Sequence, residues 1–477
     1  MSLASEPMSR VDTAWLRMDT PENLMMIVGV WFLRPRITVA QLRARCEEKL
    51  LPYPRFRQRV VEDAMGAHWV EDREFSLDNH VVASELRRRE GQPLKEALQE
   101  HVSQLASEPL DTHHPLWQME LIDDVEGQSA LVCRIHHCIG DGIALMTVML
   151  SIADGGALPP ARKPNAEPEG EHDWIYDHLT KPITDLTVKA VHFTGKGMAK
   201  GMDTFMTPDH PMEGPLAIAN MGMQAVRDLS AFALMPDDAH TRLKGKPGVN
   251  KTVAWADGLQ LDEVKAVGKA LGGSVNDVLL SCVAGAIGAY LRAKGDDPSG
   301  QEIRAMVPVN LRPLEKAWQL GNKFGLVPLV LPIGLANPVE RLYAVRERMH
   351  ELKGSFQPLM AFGVLAVAGL LIRPVQNTLL GLFAKKATAV MTNVPGPAEP
   401  LKFCGSTVEN VMFWVPQNGD IGMGVSILTY AGKVQFGLIT DAKLCPDPEA
   451  IIAQFAPEFE KLLLLTLMLP WNGQIEA

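Results

Sequence analysis

The segment His136-His137-Cys138-Ile139-Gly140-Asp141-Gly142 contains residue types suited to proton transfer. Because the pKa of a histidine lies near neutrality, its imidazole can take up and return a proton at physiological pH. Asp141 can cap a following helix or hold a cation, and Gly142 permits a tight turn from strand to helix. The segment therefore indicates acid–base chemistry at a histidine.

Each part of this segment also has a simpler interpretation. Paired histidines often form only the polar end of a strand, and Asp-Gly often forms only a cap and a turn. Their combination directly after an apolar strand favours a functional site. A metal site is a further alternative, since Cys133, Cys138, His113 and His114 are near in sequence. Their spacing matches no standard ligand set, so we expect no metal.

The elements around this segment follow from the pattern of apolar residues. Ala130–Ile135 is an apolar run that predicts a strand, and Ile143–Ile152 is predicted to be a helix. Earlier in the chain, Thr38–Leu51 and Leu94–Leu105 have apolar residues at helical spacing. The histidine pair is therefore placed at the end of a strand, within a mixed α/β unit.

The second half of the chain has the same mixed character. Strands are predicted at Thr252–Trp255, Ile303–Val309, Phe324–Ile333, Ala387–Met391, Gly422–Leu428 and Val434–Ile439. Helices are predicted at Asp262–Leu271, Ser274–Lys294, Val339–Lys353 and Pro448–Met468. These elements predict a second α/β domain.

The division into domains follows from composition. Gly155–Asp173 is rich in Gly, Pro, Glu and Arg and is typical of a linker. We expect an N-terminal domain over residues 1–165, a connecting segment with short helices over 166–248, and a C-terminal domain over 249–477.

Charge and cysteine content exclude several classes of protein. The 477-residue chain has a formal net charge of −10, whereas nucleic-acid binding depends on basic surfaces, so no nucleic-acid partner is expected. The six cysteines are scattered, without a CxxC pair, which indicates neither a disulfide framework nor a structural zinc. The first ten residues include Glu6, Pro7 and Arg10 where an export signal would be apolar. We expect a cytoplasmic protein.

The longest apolar run, Leu359–Ile372, is 14 residues long and ends in Arg373-Pro374. It is shorter than the roughly 20 residues that span a bilayer. A buried core helix and a surface that touches lipid or a long acyl chain are the two interpretations of this run, and both stay open.

Beyond the histidine segment, an ordered series of short blocks resembles the bacterial wax ester synthase/diacylglycerol acyltransferases of the CoA-dependent acyltransferase superfamily. In the first half the blocks are Met8-Ser9-Arg10-Val11-Asp12, Arg17-Met18-Asp19-Thr20-Pro21-Glu22-Asn23, Pro54-Arg55-Phe56-Arg57-Gln58-Arg59, Ser107-Glu108-Pro109-Leu110-Asp111 and Pro115-Leu116-Trp117. In the second half they are Ser274-Val275-Asn276-Asp277-Val278, Val307-Pro308-Val309-Asn310-Leu311-Arg312, Gly321-Asn322 and Asn393-Val394-Pro395-Gly396-Pro397. One departure is Gln417-Asn418-Gly419-Asp420, where the family more usually has a Gly-Gln pair.

The resemblance implies an α/β fold of two chloramphenicol-acetyltransferase-like domains, with the active-site tunnel at their interface. It implies that His137 is the general base and that His136 is a supporting residue. Asp141 would hold the site through a salt bridge to an arginine that the sequence does not identify. Gly142 and Asn276 would lie near the substrates. Thr392 and Asn393 are weak candidates for oxyanion donors.

The function that this resemblance implies is O-acyl transfer from acyl-CoA to long-chain fatty alcohols, to diacylglycerol, or to both. Acyl-CoA is then a co-substrate and no cofactor is expected. The partners would include a lipid droplet or the inner membrane surface, which the protein would contact peripherally. Two alternatives remain: acyl transfer to another hydroxyl or amine acceptor, and a non-catalytic protein bound to the lipid-droplet surface.

Overall fold

The computed structural model of the protein describes residues 5–63, 66–156, 235–312, 319–353, 357–371 and 373–468. Most of the predicted linker and of the connecting segment, including the stretch Lys196–Met206, lies outside the described residues.

The helices are numbered in chain order. They are α1 Arg10–Met18, α2 Val39–Arg45, α3 Leu94–Ser107, α4 Gly142–Ile152, α5 Leu261–Leu271, α6 Val275–Ala293, α7 Pro338–Lys353, α8 Gln357–Ala368, α9 Arg373–Ala384 and α10 Glu449–Leu467.

The strands follow the same convention. They are β1 Ser5–Pro7, β2 Met26–Arg34, β3 Gln58–Asp63, β4 Gly66–Glu71, β5 Val81–Glu85, β6 Trp117–Val125, β7 Gln128–His136, β8 Lys251–Trp255, β9 Leu259–Gln260, β10 Ile303–Asn310, β11 Phe324–Leu331, β12 Ala389–Pro395, β13 Lys402–Phe403, β14 Ser406–Trp414, β15 Met423–Tyr430 and β16 Lys433–Asp441.

The strand that leads to the histidine pair lies inside a six-stranded sheet, the first sheet, with the order β13-β14-β2-β7-β6-β5. Strand β7 is buried from Ser129 to His136 and pairs with β2 on one side and β6 on the other. Because β7 has a partner on both edges, its carboxyl end is held rigidly. His137 directly follows that end, so its backbone begins from a fixed position.

The second sheet has the order β11-β10-β12-β15-β16-β8, with β9 beside β16. Strands β10, β12 and β15 run parallel. Helices α7, α8 and α9 lie between β10 and β12 along the chain, whereas β13 and β14 lie between β12 and β15. Helix α6 packs between α7 and α10 on this sheet's core. The two sheets with their helices form the two-domain α/β fold that the resemblance implied.

The first sheet is completed by residues from the second half of the chain. Strand β14 pairs antiparallel with β2, from Thr407 opposite Arg34 to Trp414 opposite Val28, and β13 pairs with β14. Residues 402–414 therefore belong in space to the sheet that carries the histidine pair. Sequence patterns did not indicate this exchange.

Strand β2 was not predicted, and its burial explains why. Met26, Val28 and Val30 are buried against α3 and the second sheet, whereas Ile27 and Gly29 face the opposite side. Both faces of the strand are lined by apolar groups, so the sequence lacks the alternation that marks a half-exposed strand.

Of the predicted apolar run, residues 359–368 lie in α8 and residues 369–371 follow it, whereas Ile372 lies outside the described residues. Phe362, Leu365 and Ala368 are buried in the core of the first half, while Leu370 is 58% exposed. These three side chains fit the buried interpretation, whereas Ala361 and Val364 are partly buried and line the cavity described below. The exposed end begins a separate apolar surface.

Among the described residues, one helix is long and apolar enough to cross a membrane. This helix is α6, and 78% of its most apolar window is buried inside the protein. It begins as predicted, with Ser274 as its N-cap. Its burial is that of a central core helix.

Candidate active site

His137 directly follows β7, and its backbone is held from two sides. Its N–H donates to the carbonyl of Met25 at 2.7 Å, and its own carbonyl accepts from the side-chain amide of Asn322 at 2.8 Å. Met25 precedes β2, whereas Asn322 belongs to the second half of the chain. The position of His137 therefore depends on both halves.

The imidazole of His137 lies in an aromatic pocket. Trp15 stacks on it with ring centroids 4.0 Å apart and planes inclined by 11°, and Phe324 lies 5.7 Å away. Nδ1 is buried and has no hydrogen-bond partner from another described residue. The ring also lines the large cavity described below.

Burial lowers the pKa of His137 to about 4, and the negative charge of Asp141 opposes this shift only in part. Removing water from around a ring disfavours its charged form, which is the direction seen here. At neutral pH the imidazole is therefore uncharged, and an uncharged imidazole nitrogen can accept a proton.

Asp141 is the N-cap of α4. One carboxylate oxygen accepts from the backbone N–H of Ala144 at 2.9 Å, and the other accepts from the N–H of Lys323 at 2.9 Å. The guanidinium of Arg312 lies 3.0 Å away, and both side chains of this ion pair are almost fully buried. Arg312 is thus the arginine that the sequence did not identify. Asp141 thus caps α4 and pairs with Arg312.

A short stretch of the second half pairs with the histidine segment along its backbone. Gly321 donates to the carbonyl of Ile139 at 3.0 Å, and its own carbonyl accepts from Asp141 at 3.3 Å. Gly321 has a φ of +103°, which glycine adopts without strain. The guanidinium of Arg312 also donates to the Gly321 carbonyl at 2.7 Å.

Asp12 connects α1 to the same stretch. Its carboxylate accepts from the backbone N–H of Asn322 at 3.0 Å and from the Asn322 side chain at 2.7 Å. Burial raises the pKa of Asp12, and the hydrogen bond from Asn322 opposes that shift. Because α1 also carries Trp15, one helix contributes both to the backbone support and to the ring contact of His137.

His136 supports the loop and does not line the cavity. Its Nδ1 accepts from the N–H of Cys138 at 3.1 Å, and its Nε2 lies 3.6 Å from the carboxylate of Asp19. Since Nδ1 accepts, the ring proton is on Nε2. The supporting role expected for His136 stays a prediction.

A cavity of about 390 Å³ extends from His137. Its lining includes Gly142, Thr392 and Asn393 among the predicted residues. Asn276 is exposed and does not line the cavity; its side-chain oxygen accepts from the Asn393 amide at 2.6 Å. Three of the four predicted substrate-binding residues therefore line the same cavity as His137. The fourth, Asn276, contacts Asn393 from outside the cavity.

Gly142 begins α4 with no positive φ, and a Cβ at this position would meet no atom within 4 Å. The tight turn expected of it does not depend on glycine, and its structural role is to line the cavity. Gln417 and Asn418, at the departure from the family pattern, also line the cavity.

Two further features limit the chemistry of the cavity. The thiol of Cys133 lines it, but burial raises the pKa of this thiol to about 12, so it stays protonated at neutral pH. A protonated thiol is a poor nucleophile. No group of three or more His, Cys, Asp or Glu side chains gathers as metal ligands anywhere in the described ranges.

Sequence reasoning assigned no role to Trp15, Asp12, Arg312 or Asn322. Three of these residues lay within recognised blocks, and Asp12 and Trp15 have the three-residue spacing of one helix face. Their partners, however, are more than a hundred residues away along the chain, so only the fold shows what they hold.

Comparison with known proteins identifies the family of this chain. Residues 8–279 match the wax ester synthase/diacylglycerol acyltransferase catalytic domain, and residues 320–463 match the WS/DGAT C-terminal domain. The chain is 24% identical over 481 residues to the O-acyltransferase WSD of Acinetobacter baylyi, covering 95% of this chain and 96% of the relative. It is 25% identical over 414 residues to a Mycobacterium tuberculosis protein named "Probable diacyglycerol O-acyltransferase tgs1", covering 84% of this chain and 82% of the relative.

Solved structures show the same fold. The wax ester synthase/diacylglycerol acyltransferase from Marinobacter aquaeolei VT8 matches with a TM-score of 0.66 at 20% identity, covering 97% of this chain and 100% of that one. The first condensation domain of the calcium-dependent antibiotic synthetase matches with a TM-score of 0.59 at 13% identity, covering 98% and 97%. With its fold, its histidine segment and more than half of its length matched, this chain belongs to the wax ester synthase/diacylglycerol acyltransferase family and is an acyltransferase.

Proposed function

We propose that this protein transfers an acyl group from acyl-CoA to the hydroxyl of a long-chain fatty alcohol, of diacylglycerol, or of both, with His137 as the general base. The observation that carries this proposal is the uncharged, buried imidazole of His137 on the wall of a largely apolar cavity. Acyl-CoA takes part as a co-substrate, without a further cofactor.

The proposed reaction begins at Nε2 of His137, because Nδ1 is buried without a partner from another described residue. Nε2 takes the proton of the alcohol as its oxygen attacks the thioester carbonyl, which forms a tetrahedral oxyanion. The carbon–sulfur bond then breaks, and the proton passes from the imidazolium to the departing thiolate. The products are an ester and CoA, and the imidazole returns to its uncharged form.

The surroundings of His137 support this reaction in two ways. The flat face of Trp15 covers the ring at 4.0 Å, so it can stabilise the transient imidazolium by a cation–π interaction. The apolar cavity wall keeps water from the thioester. Thr392 and Asn393 are the oxyanion donors of this scheme because they line the same cavity.

The experiment that tests this proposal mixes purified protein with palmitoyl-CoA and either hexadecanol or a diacylglycerol. Free thiol and ester product are both followed over time. Equal amounts of thiol and ester support acyl transfer. Thiol release without ester indicates a hydrolase, and the absence of both supports the non-catalytic alternative.

We also propose that the protein contacts a lipid droplet or the inner membrane surface peripherally, from the cytoplasm. The support lies in α9, whose inner residues Leu380, Phe383 and Ala384 line the cavity. On its outer side, Val375 is 48% and Leu382 is 53% exposed, and the nearby Leu370 is 58% exposed. One helix thus has apolar groups facing both the cavity and the surface, as suits a substrate that arrives from lipid.

A further inference from the structure

One arm of the cavity follows the face of the first sheet away from His137. Ile27, Gly29 and Trp31 line it from β2, and Cys133 and Ile135 line it from β7. The register places Ile27 opposite Ile135, Gly29 opposite Cys133 and Trp31 opposite Leu131. These positions alternate along their strands and therefore share one face with His137. We call this arm the first-sheet groove.

Helix α4 shares a hydrophobic core with this face of the first sheet and also lines the cavity. Gly142, Leu145 and Met149 line the cavity at successive turns of α4. Seven residues of α-helix extend about 10 Å, so this helix also runs away from the histidine segment. Two independent elements, a strand and a helix, thus begin beside His137 and line the same cavity.

The chemistry of the first-sheet groove differs from that of the rest of the cavity. Its walls carry hydrocarbon, sulfur and indole groups. The amide and hydroxyl side chains that line the cavity come from the second half of the chain, and they are Asn310, Thr392, Asn393, Gln417, Asn418 and Tyr430. The Tyr430 hydroxyl donates to the Val408 carbonyl at 2.7 Å. The polar pantetheine arm of a CoA thioester is accommodated better on that side. The first-sheet groove is suited to a hydrocarbon chain.

We propose that the first-sheet groove holds the hydrocarbon chain of one substrate and that the absence of a side chain at Gly29 lets a long chain pass along it. This inference rests on the proposed acyl transfer, because the reacting end of the chain must lie at His137. Gly29 is opposite Cys133, four strand residues before His137 and so about 13 Å away along β7. Trp31 is six residues away, at about 20 Å.

These distances translate into carbon atoms. An extended chain with carbon–carbon bonds of ~1.5 Å advances about 1.3 Å per bond, so Gly29 lies near the tenth carbon and Trp31 near the fifteenth. Trp31 is buried, packs edge-on against Phe403, and is the last residue along β2 that lines the cavity. A chain of about 15 carbons therefore fills the groove, and it has to pass over Gly29.

Gly29 can be enlarged without a clash in the backbone. A Cβ there would lie 3.5 Å from the Met412 carbonyl and 3.9 Å from the Phe413 Cβ, which are ordinary contacts. A valine suits a strand, and its two methyl groups would lie in the groove. The Gly29→Val variant should fold and should block the groove beyond about the tenth carbon.

The experiment measures kcat/KM for parent and variant over two substrate series. One series varies the acyl-CoA from octanoyl to palmitoyl with butanol as the acceptor, and the other varies the alcohol from octanol to hexadecanol with octanoyl-CoA. Each buried methylene changes kcat/KM about fourfold, so Gly29→Val should lower it at least about 100-fold for 16-carbon chains in one series. Eight-carbon chains end before Gly29, so their kcat/KM should fall far less than that of 16-carbon chains. The series that responds identifies the chain as acyl or alcohol.

Two variants complete the test. Gly29→Ala is the graded variant, because its single methyl fits the contacts above and should disfavour 16-carbon chains less than Gly29→Val does. Met149→Phe narrows the cavity from α4 and should also disfavour 16-carbon chains. An equal loss at all lengths in folded Gly29→Val protein, or no loss in either series, overturns the inference. Failure of the parent protein to transfer any acyl group would instead overturn the proposed function.

Discussion

At the scale of single residues, the environment of His137 departs from that of a surface histidine. Its ring is stacked on Trp15, its Nδ1 is buried, and its pKa is lowered to about 4 by burial. A base of low pKa is weak, but it remains unprotonated over a wide pH range. The enzyme is thus expected to stay active in mildly acidic conditions.

We expect the acid limb of the pH profile of kcat/KM to have its midpoint near pH 4. Above this pH the imidazole is uncharged and accepts the proton; below it the ring is protonated and cannot. The measurement covers pH 3.5 to 8 with short-chain substrates. A midpoint near the ordinary histidine value of about 6.5 would show that the ring is solvated in the free enzyme.

Unfolding must be followed at each pH as a control. The folded pKa of His137 lies below the unfolded value, so the unfolded state binds more protons between about pH 6.5 and 4. The free energy of unfolding is therefore unaffected by this ring above about pH 6.5. It decreases by up to about 3 kcal/mol as the pH falls below that value. Activity is therefore compared only where the protein remains folded.

His137→Ala should lower ester formation by about 100- to 10,000-fold, as removal of a general base usually does. His136→Ala should retain more activity, because His136 lies outside the cavity lining and supports the loop through Cys138. Thiol release and melting temperature are measured for both variants. If His137→Ala keeps more than about a tenth of the parental turnover at saturating substrate, His137 is not the base.

How far sequence predicts this site depends on the distance between partners. His136, His137 and Asp141 are close in sequence, and the strand before them and the helix after them were predicted correctly. Arg312 is 171 residues from Asp141, and Asn322 is 310 residues from Asp12. No local pattern encodes contacts of that kind, so these roles became visible only in the fold.

At the scale of elements, the site lies where the start of α4 contacts the residues that follow β10. The buried ion pair of Asp141 and Arg312 lies at this contact, together with the backbone pairing of Gly321. Removing one partner of a buried ion pair lowers the free energy of unfolding, because the remaining charge is buried without a partner or solvent. Loss of the Asp141 carboxylate is therefore expected to lower both the stability of the fold and the activity.

Asp141→Ala should reduce both the melting temperature and the activity, since it leaves Arg312 unpaired and removes the cap of α4. Breaking a buried pair typically costs ~3 to 5 kcal/mol of unfolding free energy. Asp296→Ala, which removes an exposed ion pair with Arg242, is the control and should cost at most ~1 kcal/mol. Lost activity with unchanged melting would assign Asp141 a direct catalytic role.

Most predicted elements of the second half are confirmed within a few residues, for example α5, α6, β10 and β16. Their apolar patterns or caps are clear because one face packs on a core. Strand β2 was missed for the opposite reason, since one of its faces meets a core and the other meets the cavity. The alternation of apolar and polar residues is therefore missing because the second face of β2 lines the cavity.

At the scale of the whole molecule, the outer side of α9 links the cavity to a lipid surface in the proposed function. Val375 and Leu382 lie seven residues apart and so share one face of the helix. Burying such groups contributes about 25 cal/mol per Å², so binding to lipid should be modest and reversible.

Flotation with neutral, anionic and diacylglycerol-containing vesicles measures this binding. The parent protein should float in part with at least one vesicle type, and Leu382→Glu should float less. Asn377→Glu places the same charge at an exposed polar position of the same helix and is the matched control. Equal flotation of both variants would place the lipid contact elsewhere, and a protein that never floats would contradict the proposal.

The pairing of β14 with β2 also sets the order in which the molecule can be assembled during translation. Strand β2 ends at Arg34, yet its partner is finished only at Trp414, so this edge stays open while the intervening residues are made. At about 5 to 20 residues per second, that wait lasts roughly 20 to 80 seconds. An unpaired apolar strand edge can pair with other chains and so promotes aggregation. Nascent chains of this protein should therefore depend on chaperones until nearly all of the polypeptide has been synthesised.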